Sequence, residues 1–370
     1  SGTVQEASNW IEYMTSDANS PLANLRRANG RDQPWHLKYV AFGNENWGCG
    51  GTMRPEYYSD VYNRFNSFVK DYPGNKLYRV ACGPNGDDYH WTEVLMQNIH
   101  AMYEVATPGM DGIALHNYTI PSGNWGHKGS ATDFGEDQYA HTLAGAEHMD
   151  ELVTKHLAIM DRLDPKKKVA LVVDEWGVWT DSEPGTNPGF LYQQNSLRDA
   201  LLAALTLHVF QHHADRVSMA NIAQMVNVLQ SMILTDGPRM LLTPTYYVYD
   251  MFKVHQDATS LPIDVTSPAY AYEQTSFPAV SASASRDSAG KVHISLVNAN
   301  PHDSIALACQ LDGVATRAVT GTILTAPAMT SHNTFDAPHT VEPAPFHDAT
   351  LSGGTLNVVL PAKSVVVLEL

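Results

Sequence analysis

Two short strings in this chain of 370 residues pair a carboxylic acid with the residue types that can aim one. They are Phe42-Gly43-Asn44-Glu45-Asn46-Trp47 and Val172-Val173-Asp174-Glu175-Trp176. In each, a glutamate follows a short apolar run, where a buried strand ends and a loop begins. Two carboxylic acids drawn from distant parts of a chain to opposite sides of a pocket can cleave a glycosidic bond. One protonates the leaving oxygen while the other attacks the sugar or activates water.

Each feature alone has an ordinary structural explanation. A glutamate after a strand suits the first turn of a helix, where the dipole favours it. Asn44 tilts the reading towards chemistry, because an amide beside an acid can hold a sugar hydroxyl next to the leaving oxygen. Asp174 and Glu175 are neighbouring like charges, but on a strand they point to opposite faces and need not repel. His116, Trp176 and Trp179 would each pass as core residues. It is the set that points to a site. Glu45, His116, Glu175 and Gln224 fall at or just past the ends of four strand-like runs, interleaved with Trp47, Tyr118, Trp176 and Trp179. Reactive groups of βα barrels collect at such ends.

Other chemistries fit less well. The chain has no GxSxG elbow, no P-loop and no GxGxxG opening a helix after a strand. Gly48-Cys49-Gly50-Gly51 lacks the Lys-Ser/Thr of a phosphate cradle and reads as a flexible loop beside the site. Cys49 as a nucleophile would need an activating histidine, and none is near in sequence. His212, His213 and Asp215 have metal-ligand types, but neighbours on a helix point about 100° apart, so they read as a polar helix end. No metal and no cofactor is expected.

The elements that must position these residues follow from the patterning. The first ~245 residues alternate short strand-like runs with helix-like segments, the rhythm of a parallel sheet or barrel. Strands are expected over Trp35 to Phe42, Leu77 to Cys82, Gly112 to His116 and Val169 to Val173, with a fifth around Ser218 to Asn221. Helices are expected over Val4 to Met14, Pro55 to Lys70, Trp91 to Tyr103, Tyr139 to Leu163 and Leu191 to Ala214. Ile120 to Asp137 reads as a long loop over the strand ends. The pattern changes near Thr243-Pro244-Thr245. Alternating strands then follow at Ala279 to Arg286, Val292 to Ala299, Ile305 to Leu311, Thr355 to Val359 and Ser364 to Leu370, as in an all-β sandwich. Phe335 to Asp348, rich in Pro and His, reads as a surface excursion. The expected organisation is a βα domain over 1–245 and a β-sandwich over 246–370.

Composition narrows the partners. A formal net charge of −16 repels polyanions over most of the surface, which argues against nucleic acid. Lys166-Lys167-Lys168 reads as a solvated turn. The 3 cysteines, Cys49, Cys82 and Cys309, show no CxxC spacing, which argues against a disulfide scaffold and fits a reducing, cytoplasmic compartment. No apolar run reaches the ~18–20 residues that span a bilayer, so no membrane partner is expected.

The string Gly43-Asn44-Glu45-Asn46-Trp47-Gly48-Cys49-Gly50-Gly51, with Met53 and Pro55-Glu56-Tyr57-Tyr58, closely resembles the acid/base segment of glycoside hydrolase family 51 α-L-arabinofuranosidases. His116-Asn117-Tyr118, Asp174-Glu175-Trp176-Gly177-Val178-Trp179 and Asn221-Ile222-Ala223-Gln224-Met225-Val226-Asn227-Val228 resemble that family's later motifs, in the same order. The resemblance implies an α/β fold, a (β/α)8 TIM barrel followed by an all-β sandwich, and hydrolysis with retention of configuration. It implies Glu45 as acid/base and Glu175 as nucleophile. Asn44, Tyr118 and Gln224 would hydrogen-bond the furanose or the catalytic glutamates, Trp179 would line the sugar subsite, and His116 would support the site. The implied substrates are arabinan, arabinoxylan or their oligosaccharides. A related endo-glucanase or β-xylosidase on the same scaffold, or an inactive carbohydrate-binding fragment, is the alternative. Family members carry roughly a hundred or more residues before the point matching Ser1, including the first barrel strands. Either the sequence is a processed or truncated piece of a longer protein, or a second chain or homo-oligomer completes the barrel, and the latter is expected.

Overall fold

The computed structural model describes residues 2–101, 104–314 and 318–370. The βα rhythm resolves into β1 (Tyr39–Phe42), β2 (Tyr78–Ala81), β3 (Gly112–Thr119), β4 (Ala170–Val178) and β5 (Val217–Ile222), which form one sheet in that order. β1 pairs with β2, and β2 with β3, in parallel, as helical crossovers require. Helices α1 (Val4–Thr15) and α2 (Pro21–Ala28) precede the sheet, and α3 (Pro55–Phe68), α4 (Tyr89–Asn98), α5 (Glu136–Leu163) and α6 (Leu197–His212) separate its strands. These are the five strands expected from the sequence. They fall short of the eight that close a barrel.

Contacts group the chain into two units. One holds everything up to His116 together with Leu152–Asp174 and Asp215–Met219. Its sheet is tightly layered. Val80, Ala114 and Val172 pack side by side with Tyr78 and Met219 against them. Gly83 passes so close to β3 that a Cβ there would lie 1.6 Å from the Ala114 carbonyl oxygen. Tyr58 of α3 stitches two strand ends together. Its buried hydroxyl donates to Phe42 O and accepts from Cys82 N, both at 2.6 Å. At the other end of the sheet, the buried Arg216 guanidinium meets Asp161 at 2.6 Å and Asp164 at 3.0 Å, and Asp164 also accepts from Val169 N.

The other unit takes Asn117–Glu151, Glu175–Ala214 and Ala220–Leu370. After α7 (Pro244–Phe252) come β6 (Thr259–Leu261), β7 (Val280–Arg286), β8 (Val292–Asn298), β9 (Ile305–Gln310), β10 (Thr320–Leu324), β11 (Ala344–Phe346), β12 (Ala349–Ser352), β13 (Thr355–Leu360) and β14 (Ser364–Glu369). They make an antiparallel six-stranded sheet, β6-β7-β8-β14-β10-β11, and a three-stranded one, β9-β13-β12. Val280, Ala282, Ile294, Leu296, Leu356 and Val358 form the heart of their core.

Several boundaries differ from the sequence reading. β3 and β4 run on through His116-Asn117-Tyr118 and Asp174-Glu175-Trp176, where polar residues suggested that the strands had ended. α6 begins at Leu197, not Leu191, because Ser196 and Asp199 close a capping box there. α4 ends at Asn98, and the end of the helix expected to Tyr103 lies outside the described residues. The supposed excursion Phe335 to Asp348 contains β11, paired with β10. α2, α7 and the hairpin Ile233–Asp236 with Arg239–Leu242 were not foreseen.

Candidate active site

Glu45 stands in a turn that its own sequence dictates. Gly43 has φ +107°, and a Cβ there would fall 2.0 Å from Asn46 Oδ1. Glu45 itself has φ 45°, a strained left-handed conformation that a non-glycine residue keeps only where its surroundings enforce it. The enforcement is visible. Gly48 N and Gly50 N both donate to Glu45 O, at 2.8 and 2.9 Å, and Asn46 Nδ2 donates to Gly50 O at 3.0 Å. A Cβ on Gly50 would lie 1.9 Å from Asn44 O, so only glycine lets the turn close. Asn46 N donates to Cys82 Sγ at 3.4 Å and ties the turn to the end of β2. Burial pushes the Cys82 thiol up to about 12, which keeps it protonated and removes it as a nucleophile.

The Glu45 carboxyl is 21% exposed, with a partner at each oxygen. Oε1 is hydrogen-bonded to His116 Nδ1 at 3.1 Å, and the Cys49 thiol donates to Oε2 at 3.2 Å. The His116 ring is buried, with Trp47 edge-on to it and Asp174 Oδ1 3.2 Å from Nε2. Its backbone is laced to the loop after β2: Gly86 N donates to His116 O at 2.8 Å, and His116 N to Pro84 O at 3.2 Å. That loop is held in turn by His156, which bonds Gly86 O at 2.8 Å and Thr92 Oγ1 at 2.9 Å. Burial keeps His156 below the usual imidazole value, in its neutral form.

Glu175 has a different setting. It lies within β4, between the half-buried Asp174 and the buried Trp176. Trp176 and Val178 are buried, and the Trp176 ring meets Phe210 edge-to-face at 5.2 Å. Tyr118 Oη donates to Glu175 Oε1 at 2.5 Å. Two buried glutamines clamp the strand just beyond. Gln230 Oε1 accepts from Val178 N at 2.6 Å while its Nε2 donates to Asp199 O and Thr245 Oγ1. Gln193 accepts from Thr180 N at 2.9 Å and donates to Val178 O at 3.0 Å. Trp179 lies edge-on to Tyr118 at 4.9 Å and to Trp125 at 5.3 Å, with the Lys128 ammonium over both tryptophans. Trp125 is 59% exposed, an open aromatic face of the kind that stacks on sugars.

The residues singled out from sequence therefore fall into place unevenly. His116 meets Glu45, Tyr118 meets Glu175, and Trp179 meets Tyr118. Asn44 is exposed, its carbonyl folded into the glycine turn. Gln224 stands in the exposed turn after β5, its N–H donating to Val228 O at 3.1 Å. His212, His213 and Asp215 disperse to Ala282 O, Asp150 and Lys167 respectively, which suits a polar helix end. Gln193, Gln230, Asp174 and the contact of Cys49 with Glu45 were missed. Buried polar residues carry no periodicity, and contacts inside a left-handed turn leave no pattern in sequence.

A parallel βα sheet with one glutamate in the turn after β1 and another within β4 suits a glycoside hydrolase. The chain matches the family model described as the α-L-arabinofuranosidase C-terminal domain over residues 174–364 and that of the α-L-arabinofuranosidase 1 domain over residues 1–118. It is 51% identical over 371 residues to the intracellular exo-α-L-arabinofuranosidase of Bacteroides ovatus, covering 100% of this chain and 71% of that protein. It superposes on the GH51 arabinofuranosidase of Xanthomonas axonopodis pv. citri with a TM-score of 0.95 and 52% identity, covering 100% of this chain and 73% of that one. For the Thermotoga maritima α-L-arabinofuranosidase in its arabinose complex, the TM-score is 0.81 at 26% identity, again with 100% of this chain and 73% of the other. The chain belongs to the glycoside hydrolase family 51 α-L-arabinofuranosidases. The endo-glucanase and β-xylosidase alternatives are not favoured beside these relatives.

Proposed function

We propose that this chain releases non-reducing terminal α-L-arabinofuranosyl residues from arabinan, arabinoxylan or their oligosaccharides by a retaining double displacement. The observation that carries the assignment of roles is the strand β3. His116 and Tyr118 both belong to it. One holds Glu45 and the other holds Glu175.

In the first step a Glu175 carboxylate oxygen forms a bond to the anomeric carbon as the bond to the leaving oxygen breaks, and Glu45 gives that oxygen its proton. In the second, Glu45 takes a proton from water, the water oxygen bonds to the anomeric carbon, and Glu175 leaves as carboxylate. Tyr118 aims the nucleophile and supports its charge. Asn44 and Gln224 bind furanose hydroxyls, and Trp179, with Trp125 beside it, lines the sugar subsite.

The same reading takes residues 1–245 as part of a (β/α)8 barrel and 246–370 as a β-sandwich. It places the protein in the cytoplasm. Three observations support that placement: Cys49, Cys82 and Cys309 form no disulfide, the Bacteroides ovatus relative is named intracellular, and no helix among the described residues is long and apolar enough to cross a membrane.

The test is release of 4-nitrophenol from the α-L-arabinofuranoside against the β-D-xyloside, followed by arabinan, arabinoxylan and β-glucan. Arabinose release from the first two polymers is expected. Cleavage of β-glucan or the xyloside without arabinose release would overturn the proposal.

A further inference from the structure

We infer that Asp181 is a positioning residue: it latches the loop of residues 120–129 so that Trp125 stands against Trp179 as a platform for a second sugar ring, beyond the arabinofuranose that is cleaved. This rests on the arabinofuranosidase reading and extends it to the part of the substrate next to the scissile bond.

A row of rings leads outward from Glu175. Tyr118 Oη holds the Glu175 carboxylate, Trp179 lies edge-on to Tyr118 at 4.9 Å, and Trp125 lies edge-on to Trp179 at 5.3 Å. Exposure rises along the row: Tyr118 and Trp179 are half-buried and Trp125 is open. The cleaved sugar belongs at the Glu175 end, so a ring lying on Trp125 is a further sugar of the same glycan. An exposed loop is mobile by default, and its tryptophan can serve as a fixed platform only if the loop is held. Asp181, just past Trp179, does the holding. Its Oδ1 accepts from Lys128 N at 3.0 Å and its Oδ2 from Gly129 N at 3.2 Å, and His127 Nδ1 lies 2.7 Å from Oδ2. The Asp181 N–H donates to Gly129 O at 2.9 Å, and at the other end of the loop Trp179 N donates to Thr119 O at 3.0 Å. The segment 179–181 therefore grips the loop at both ends. Lys128 carries that grip to the ring. Its ammonium donates to Trp125 O at 2.9 Å and lies over both indoles, 5.6 Å from the Trp125 centroid and 5.3 Å from that of Trp179.

The test uses the full chain and two substrates: methyl α-L-arabinofuranoside, which has no second ring, and α-1,5-arabinotriose, which has. Asp181→Ala should raise KM for arabinotriose about three- to tenfold while kcat holds, and should change kcat/KM for the methyl glycoside far less. Trp125→Ala should raise KM for arabinotriose at least as much. The double variant should lose no more than Trp125→Ala alone, because Asp181 acts through that ring. Equal losses on both substrates in Asp181→Ala, or losses that add in the double variant, overturn the inference. A second readout is independent of turnover: hydrogen exchange of the peptide spanning residues 122–129. The Lys128 and Gly129 amides lose a charged acceptor in Asp181→Ala and should exchange about tenfold faster or more. Unchanged exchange also overturns the inference. Should Asp181→Ala fail to fold, Asp181→Asn, which keeps one acceptor oxygen and loses the other, carries the same tests with smaller effects in the same direction. Should the wild-type chain cleave neither glycoside, the arabinofuranosidase reading fails and the platform with it. Should it cleave both while Trp125→Ala leaves arabinotriose unaffected, only the platform fails.

Discussion

The two glutamates proposed as catalytic are held in opposite ways. Glu45 sits in a left-handed turn of glycines at the end of a four-residue strand, one carboxyl oxygen backed by a histidine and the other under an exposed thiol. Glu175 sits inside a nine-residue strand beside the buried Trp176, with a tyrosine hydroxyl on one oxygen and two buried glutamines locking the backbone beyond it. The contrast matches the roles proposed for them. A nucleophile needs one fixed line of attack, which a braced strand supplies. An acid/base must give up a proton and take one back from a different molecule, and a turn with polar neighbours at both oxygens suits that exchange.

The largest effect should come from the rigid side. Glu175→Ala removes the proposed nucleophile and should lower kcat by about 10⁴-fold or more. Azide should restore turnover of an activated aryl arabinofuranoside by filling the vacated space. Substantial activity without azide would show that another group attacks.

Tyr118→Phe tests the brace itself. A hydrogen bond to a charged group contributes about 1.5–3 kcal/mol, so kcat should fall roughly ten- to a hundredfold with little change in fold. A fall confined to KM would mean that Tyr118 binds sugar and does not aim Glu175. Gln230→Ala tests the clamp behind it. The variant leaves Val178 N–H buried and unpaired, which costs about 1–3 kcal/mol and should lower the melting temperature. An unchanged melting curve would mean that β4 needs no such lock.

Acid acts on stability through two buried histidines. His208 is buried between the Ser281 and Ser295 hydroxyls and stacks on Phe252, and His255 bonds the Ser285 hydroxyl. Burial holds His208 well below its ordinary value and His255 at about 4. The folded chain keeps both neutral, whereas the unfolded chain takes up protons near pH 6.5. Their contribution is therefore intact above about pH 6.5 and is lost as the pH falls towards 4, at up to about 1.4 kcal/mol per pH unit for each histidine. Denaturant melts from pH 7.5 to 5 should show the decline, and His208→Gln should flatten it. A wild-type curve that is flat over that range would contradict this account.

Much of this comparison was legible in the sequence, and the reasons for the gaps are physical. The five sheet strands were readable because short apolar runs such as Leu171-Val172-Val173 must be buried on both faces. Their ends were not, because Asp174 and Glu175 look like the start of a loop. The strand continues because Trp176 and Val178 still alternate into the core and because Gln230, far along the chain, supplies the partner for Val178 N–H. The glutamates were visible as residue types in a motif. Their supports were visible only where they share a strand, as His116 and Tyr118 do. Gln193 and Gln230 resemble ordinary surface amides in sequence, and only the fold shows them buried. Cys49 stood in plain view beside Glu45, but its contact depends on a left-handed residue and two glycine amides that no hydrophobic pattern encodes.

The central claim is that the braced glutamate takes the sugar and the one in the turn handles the proton. Glu45→Ala with 2,4-dinitrophenyl α-L-arabinofuranoside tests it most directly, because the good leaving group departs without an acid and the missing base leaves the second step slow. The account predicts a burst of dinitrophenol and an arabinosyl adduct that peptide mass spectrometry maps to Glu175. An adduct on any other residue, or a burst with no adduct, would contradict it.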